Sequence, residues 1–372
     1  MNDKVLPLVS TEQGVDPAGE SKQSPARRGV CLLGKLTILV PAYNEAGSLA
    51  DTIRSLKAQT VPIHEIIVID DRSTDGTDAV ARSLGVTVVT PPQNTGSKAG
   101  AQNFALKYVF TEFALAIDAD TTLAPDAIEK LLASFDDPRI VAACGFVIPR
   151  HVKTVWERGR YIEYLFAFSF CKQIQDYFGK PLISSGCFSM YRTEVLRETN
   201  GWPTRTVAED MDLTWTFYSK GYGVRFIPDA VCYPIEPHNY HFMGKQLKRW
   251  SHGFVQNLMI HWDSIRQVPY LNSMAAVIVW DAIIASAAYM VILPLLAVIF
   301  RNPIFLIGYV IDVPAVLVPV LAAAIPRGET GRALASVPAY FVLRTVNAVF
   351  MIKAFWNEII RKKTLKVYEK GH

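Results

Sequence analysis

Residues 113–122 read FALAIDADTT: an apolar run from Phe113 to Ile117, then Asp118 and Asp120 two positions apart, then Thr121 and Thr122. A short apolar run ending abruptly in polar residues has the length and character of a strand buried on both faces. Side chains alternate along a strand, so Asp118 and Asp120 leave its end on one face and can converge on one cation, or on a cation and a ribose. Two like charges so close need a counter-charge. A hard divalent ion, Mg²⁺ or Mn²⁺, bridging to a diphosphate would supply it and neutralise a departing nucleoside diphosphate.

Outward from this stretch the pattern repeats. Leu36–Val40, Glu65–Ile69, Val86–Val89 and Ile140–Cys144 are also strand-like, while 46–59, 76–84, 98–109 and 125–134 read as amphipathic helices. Such alternation predicts an α/β fold, Rossmann-like, with a mostly parallel sheet, helices on both faces and its active site at the carboxyl ends of the strands. Residues 1–33, rich in Gly, Pro, Ser and Gln, are expected to be a disordered leader with no signal peptide. Residues 34–269 form the expected α/β domain, with interfacial helices towards its end.

After Pro269 the composition changes. Three apolar blocks, 273–300, 303–325 and 333–356, are each long enough for about 30 Å of hydrocarbon, so 270–357 reads as about three transmembrane helices followed by a basic tail, 358–372. The whole chain is 50% hydrophobic and only 19% charged, which fits a membrane-embedded portion. Asp281, Asp312 and Arg344 fall inside the apolar blocks and are expected to pair with one another. Three full crossings would put Arg361, Lys362, Lys363, Lys366 and Lys370 on the side opposite the α/β domain, against the positive-inside tendency, so one block is expected to be re-entrant. A net charge of +4, most of it in the tail, argues against nucleic acid as a partner. Five scattered cysteines without a CxxC exclude a disulfide framework and a zinc ribbon.

Other clusters carry chemistry. Pro41, Ala42, Tyr43 and Glu45 close the first strand, and Asp70 and Asp71 close the second. Carboxylates there suit the hydroxyls of a ribose or the N–H of a base, and the same residues also suit a turn and a helix cap. Glu209 and Asp210 open an amphipathic helix, where one carboxylate could act as a general base or both could simply offset the helix dipole. Gln246, Arg249 and Trp250 share a helical face, combining a bidentate cation with a flat apolar wall.

In this order and spacing the clusters resemble the family 2 inverting glycosyltransferases of GT-A fold, in the membrane-integrated branch marked by D, DxD, ED and QxxRW. The resemblance runs from Leu36 to Gln256 and includes Asn94–Lys98, similar to that family's glycine-lysine segment before a donor-site helix. It implies that Pro41, Ala42, Tyr43, Glu45, Asp70, Asp71, Lys98 and Asp118 bind the donor, and that Asp118 and Asp120 hold Mn²⁺ or Mg²⁺. It implies Asp210 as the base with Glu209 beside it, Gln246, Arg249 and Trp250 at the acceptor-diphosphate region, and Ser185, Gly186 and Cys187 along the acceptor channel. The look is closest to synthases of poly-N-acetylglucosamine, chitin-type oligosaccharides and hyaluronan.

The activity so implied is metal-dependent transfer of a hexosyl or N-acetylhexosaminyl group from a UDP-sugar to a hydroxyl acceptor at the cytoplasmic face of the plasma membrane, building a β-linked poly- or oligosaccharide. Single transfer to a membrane lipid is the alternative, and a non-catalytic nucleotide-sugar-binding membrane protein a more distant one. The expected partners are the UDP-sugar, a saccharide or lipid acceptor, the lipid bilayer and, as a further candidate, a second copy of the chain.

Overall fold

The computed structural model describes residues 35–267 and 269–366, so the expected leader and the last residues of the tail lie outside the described residues. The strands are β1 (Leu36–Ala42), β2 (Glu65–Asp70), β3 (Thr87–Val89), β4 (Phe113–Ile117), β5 (Thr122–Leu123), β6 (Ile140–Val147), β7 (Phe188–Arg192) and β8 (Gly223–Tyr233). They form one sheet in the order β3-β2-β1-β4-β7-β6-β8-β5. β1 to β4 pair in parallel, as do β6 and β8, but β7 runs antiparallel to both β4 and β6, and β5 antiparallel to β8. The sheet is therefore mixed but mostly parallel: six of its eight strands run one way, and only β7 and β5 run the other. The reversal of β7 follows from its connection: the chain leaves β6 at the carboxyl edge, runs through helices and re-enters from that same edge, so the next strand can only point backwards.

Helices α1 (Leu49–Lys57), α2 (Thr77–Ser83), α3 (Lys98–Leu106), α4 (Ala127–Leu132), α5 (Val155–Phe166), α6 (Lys172–Tyr177), α7 (Thr193–Glu198), α8 (Glu209–Ser219), α9 (Tyr240–Ile260) and α10 (Trp262–Gln267) complete the domain. The period-two alternation of β1 sorts them into two layers. Leu36, Ile38 and Val40 share one core with Leu49, Ile53, Ile128 and Leu131, whereas Leu39 shares the other with Ala105, Leu196, Leu213 and Phe254. Each fully buried Leu or Ile contributes roughly 1.5–3 kcal/mol. The parallel part of the sheet, apolar on both faces, is thereby enclosed.

Three helices follow that are long and apolar enough to cross a membrane: Tyr270–Ile299, Pro303–Ala324 and Thr330–Ile360. The expected pairing of their ionisable groups is observed. The Arg344 guanidinium donates to both Asp312 oxygens at 2.9 and 3.0 Å and to Asp281 Oδ1 at 2.7 Å, tying all three helices together. Such a group left unpaired among apolar side chains would cost several kcal/mol, roughly 3 or more.

Gly145, in β6, marks a close approach within the sheet: a Cβ there would lie 2.2 Å from the Ala230 carbonyl oxygen and 2.6 Å from the Phe188 ring. Neither neighbour is a flexible side-chain end. Gly145→Ala should cost about 1–3 kcal/mol of stability, whereas Gly47→Ala, with no atom within 4 Å of the new methyl group, should stay within about 0.5 kcal/mol. Thermal unfolding of the two variants beside the parent checks both, and equal melting temperatures would refute the close approach.

Candidate active site

The carboxyl ends of β1 and β2 are knitted into one surface by reciprocal hydrogen bonds. Asn44 donates its backbone N–H to Ser73 Oγ at 3.0 Å while its side-chain oxygen accepts from Thr74 N at 2.8 Å. Glu45 N donates to Thr77 Oγ1 at 2.8 Å, and Ala46 N to Asp75 Oδ2 at 3.0 Å. Asn44 and Arg72 both adopt positive φ, 54° and 66°, and so turn the two loops towards each other. The acidic pair divides its work: Asp70 accepts from Ser73 N at 3.1 Å, and Asp71 accepts from both Thr95 N and Thr95 Oγ1 at 2.8 Å. Asp71 thus anchors the 94–97 loop whose last residue, Ser97, caps α3 by accepting from Gly100 N.

That capped helix delivers Lys98. Its ammonium donates to Asp118 Oδ1 and, at 2.7 Å, to the carbonyl oxygen of Gly186. Gly186 in turn donates its N–H to Asp210 Oδ2 at 2.9 Å. A methyl group on Gly186 would lie 3.1 Å from that carboxylate oxygen and 3.4 Å from Lys98 Nζ. Four sequence-predicted residues are therefore linked in one chain, Asp118 to Lys98, Lys98 to Gly186 and Gly186 to Asp210.

Glu209 belongs to the same electrostatic group. Burial, and then the neighbouring Asp210 charge, push its carboxyl above the ordinary 4.5, while Lys98 and Arg249 pull the other way. Asp120 is buried beside Thr121, whose hydroxyl donates to it at 3.1 Å. Asp118 and Asp120 offer hard oxygen donors of the kind Mn²⁺ and Mg²⁺ take. Among the described residues no three His, Cys, Asp or Glu side chains cluster as a closed metal cage. Two carboxylates fit an ion completed by the oxygens of a diphosphate, which is how Mg²⁺-like ions are commonly held.

Pro41 and Ala42 end β1, the parallel neighbour of β4 in the sheet, and Tyr43 and Glu45 follow in the loop beyond it, where Glu45 accepts from Ser48 Oγ at 2.7 Å. Ser185 accepts from Lys172 Nζ at 2.6 Å, and the Cys187 carbonyl accepts from Asp118 N at 3.3 Å. On α9 the three motif residues part company. Arg249 acts on Glu209, whereas Gln246 and Trp250 are both held by Arg160 of α5, Gln246 Oε1 accepting from its guanidinium at 2.6 Å and the Trp250 ring lying 4.5 Å from its centre.

Sequence reasoning missed Arg160 altogether. The side chain is fully buried, and Glu163 and Glu236 outweigh the burial that would otherwise favour its neutral form. No local spacing could reveal a group that meets its partners 76 and 86 residues away. Arg150 was missed too, although its guanidinium braces the Asp120 carbonyl at 2.7 Å; its place just beyond the end of β6 was a usable signal.

Residues 37–199 match the glycosyl transferase family 2 domain. Poly-beta-1,6-N-acetyl-D-glucosamine synthase of Staphylococcus aureus (strain MSSA476) is 27% identical over 222 residues, covering 59% of this chain and 54% of that protein. The synthase of the same name from Staphylococcus epidermidis is 27% identical over 237 residues, 62% and 57% respectively. The chain thus spans little more than half the length of these curated relatives. Among solved structures, the mannosyltransferase PcManGT from Pyrobaculum calidifontis, in complex with GDP-Man and Mn2+, aligns over 88% of each chain at a TM-score of 0.57 and 23% identity, a likeness of fold.

The raised Glu209 carboxyl has a measurable sign. Such a group stabilises the fold only while protonated, a contribution complete below 4.5 and lost as pH climbs through the raised value. Glu209→Gln should therefore unfold at a higher temperature than the parent at pH 7, with the gap closing as pH falls towards 4.5. A gap independent of pH would show that Glu209 is not held above its ordinary value.

Proposed function

We propose that this chain, a glycosyltransferase by the family 2 domain it carries, moves a sugar from a UDP-sugar to a hydroxyl acceptor with inversion at the anomeric carbon. The observation that carries the reading is the junction at Gly186, where the strand-end carboxylate Asp118, its cation Lys98 and the helix-opening carboxylate Asp210 come together. Identity with the two poly-N-acetylglucosamine synthases supports an N-acetylhexosaminyl donor and a growing saccharide as acceptor.

In the proposed reaction the acceptor oxygen attacks the anomeric carbon from the face opposite the diphosphate. The new C–O bond forms as the bond to the diphosphate breaks, and the acceptor proton passes to Asp210. One Asp210 oxygen accepts from Gly186 N at 2.9 Å and the other from Met211 N at 2.8 Å, which fixes the plane of the carboxylate before any proton arrives. Lys98 and Arg249 place positive charge beside the carboxylates and near the departing diphosphate. Asp118 and Asp120 would hold Mn²⁺ or Mg²⁺, which supplies a Lewis acid that lowers the cost of the leaving group's charge. The loops after β1 and β2, with Tyr43 exposed at their rim, are the proposed seat of the uridine. We place this site on the cytoplasmic face of the plasma membrane.

The test is product analysis by mass spectrometry, with full-length protein in detergent and a panel of UDP-sugars, acceptor saccharides and lipids. A β-linked product from an α-linked donor is expected, with a ladder of lengths for saccharide elongation and a single adduct for lipid transfer. Asp210→Asn should lower kcat by roughly two to four orders of magnitude with little change in UDP affinity. Asp120→Asn and EDTA should each abolish turnover. Full activity in EDTA would remove the metal from the reading, and unchanged kcat in Asp210→Asn would remove the base.

A further inference from the structure

The third apolar helix is in contact with the α/β domain along its whole length. Glu329, at its start, accepts from the Tyr161 hydroxyl of α5 at 2.7 Å. Gly159 of α5 lets the two helices touch: a Cβ there would be 2.8 Å from the Ala339 carbonyl oxygen and 2.9 Å from Leu343 Cβ. Leu343 then shares a small core with Met243 and Leu247 of α9, and Gly244 of α9 faces the Phe350 ring. Glu358, in the last turns, pairs with His252 Nδ1 of α9 at 2.6 Å and accepts from Gln256 at 2.9 Å, while Gln256 also donates to the Leu365 carbonyl.

A helix that crossed the bilayer would end on opposite sides of about 30 Å of hydrocarbon. Here both ends are fastened to one domain, through α5, which carries Glu157, Arg158, Arg160 and Glu163, and α9, which carries Lys245, Lys248 and Arg249. Each such charge would cost about 3 kcal/mol at the centre of a bilayer. The face turned away from the domain is different in kind. Val342, Val349, Ile352, Trp356 and Ile359 are exposed at steps of seven, three, four and three, a single apolar stripe along the helix. Beyond it Arg361, Lys362, Lys363 and Lys366 are all exposed.

The first two apolar helices behave otherwise. Leu271 and Ala275 at the base of the first, and Val320 and Ala324 at the end of the second, are buried, whereas Val298, Phe300, Ile307, Val310 and Ile311 between them are 63–74% exposed. The Asp281–Arg344–Asp312 cluster joins both arms of this hairpin to the third helix.

We propose that the third apolar helix lies along the membrane surface with its stripe in the lipid, that only the hairpin of the first two enters the bilayer, and that the basic tail therefore sits on the same side as the α/β domain. The occupant of the stripe is the lipid bilayer: the helix that carries it is tied through Arg344 to both arms of the apolar hairpin, and the four cations at its end complement anionic headgroups, each worth about 1 kcal/mol. It also meets the positive-inside tendency. The inference concerns membrane topology and stands independently of the reaction proposed above.

The test uses full-length protein in proteoliposomes, with a fluorescent noncanonical residue at Val342, Val349 or Ile359 and quencher lipids labelled at graded depths. The surface placement expects one shallow depth for all three and a greater depth for a probe at Val298. A crossing helix would spread the first and last by about 26 Å, at 1.5 Å per residue, and that result would overturn the proposal. Independently, epitope tags in the exposed Asp137–Arg139 turn and after His372 should be cleaved by external protease in the same population of sealed vesicles; cleavage in opposite populations would equally overturn it.

Discussion

The site depends on how three carboxylates are answered: half-buried Asp118 by Lys98, half-buried Asp210 by the N–H of Gly186, and buried Glu209 by the nearby charges of Lys98 and Arg249. At an effective dielectric near 20, unit charges 4 Å apart interact by about 4 kcal/mol, so the sign of every neighbour matters more than any single packing contact there. Lys98 answers Asp118, and together with Arg249 it draws Glu209 back from the protonated state that burial favours. Gly186 makes the compromise geometric. Its carbonyl accepts from the cation and its N–H donates to the anion, and a side chain there would crowd both, its Cβ 3.1 Å from the Asp210 oxygen and 3.4 Å from Lys98 Nζ.

Those groups come from elements far apart in sequence, and what was legible beforehand divides accordingly. The strands from β1 to β4 could be read directly, because Leu36–Val40, Glu65–Ile69 and Phe113–Ile117 are almost wholly apolar, as strands of a doubly covered sheet are. The paired aspartates at 118 and 120 announced a site for the same local reason. β7 could not be read this way: FSMYR alternates polar and apolar side chains, and its reversed direction follows from a tertiary return path that leaves no mark on the residues themselves. β5, two residues long, was beneath any pattern. At the site, Gly186 was found only through the stretch it belongs to, and Arg160 not at all, since a buried arginine in an amphipathic helix looks like a solvated one until its partners on α9 and before it are brought to it.

Arg160 also explains why Gln246 and Trp250 sit differently from Arg249 on α9. One guanidinium holds the first two, while a turn of helix presents the third to Glu209. The side of α9 that meets the carboxylates and the side that meets α5 are thus separately supported. His252 and Gln256 extend that support to Glu358, so the helix bearing the motif is braced at both ends by groups outside the sheet. A second brace lies on α8, where Asp212 accepts from Arg205 and pairs with His261; burial would raise this carboxyl, but those two partners prevail and hold it below the ordinary range.

The antiparallel entry of β7 has an evolutionary corollary. Because β6 and β7 are neighbours, with Cys144 opposite Ser189, the segment between Val147 and Phe188 departs from the sheet and returns to it at adjacent points. It contains α5, α6 and the whole approach to Gly186, yet its length is not fixed by the register of any strand. Such a segment is a cassette. Insertions, deletions or recombination within it, upstream of Gly186, could refashion what the proposed reading takes as the acceptor side while leaving in place the ends of β1, β2 and β4 that the same reading assigns to the nucleotide, so lineages sharing this sheet could diversify by changing one loop-borne segment.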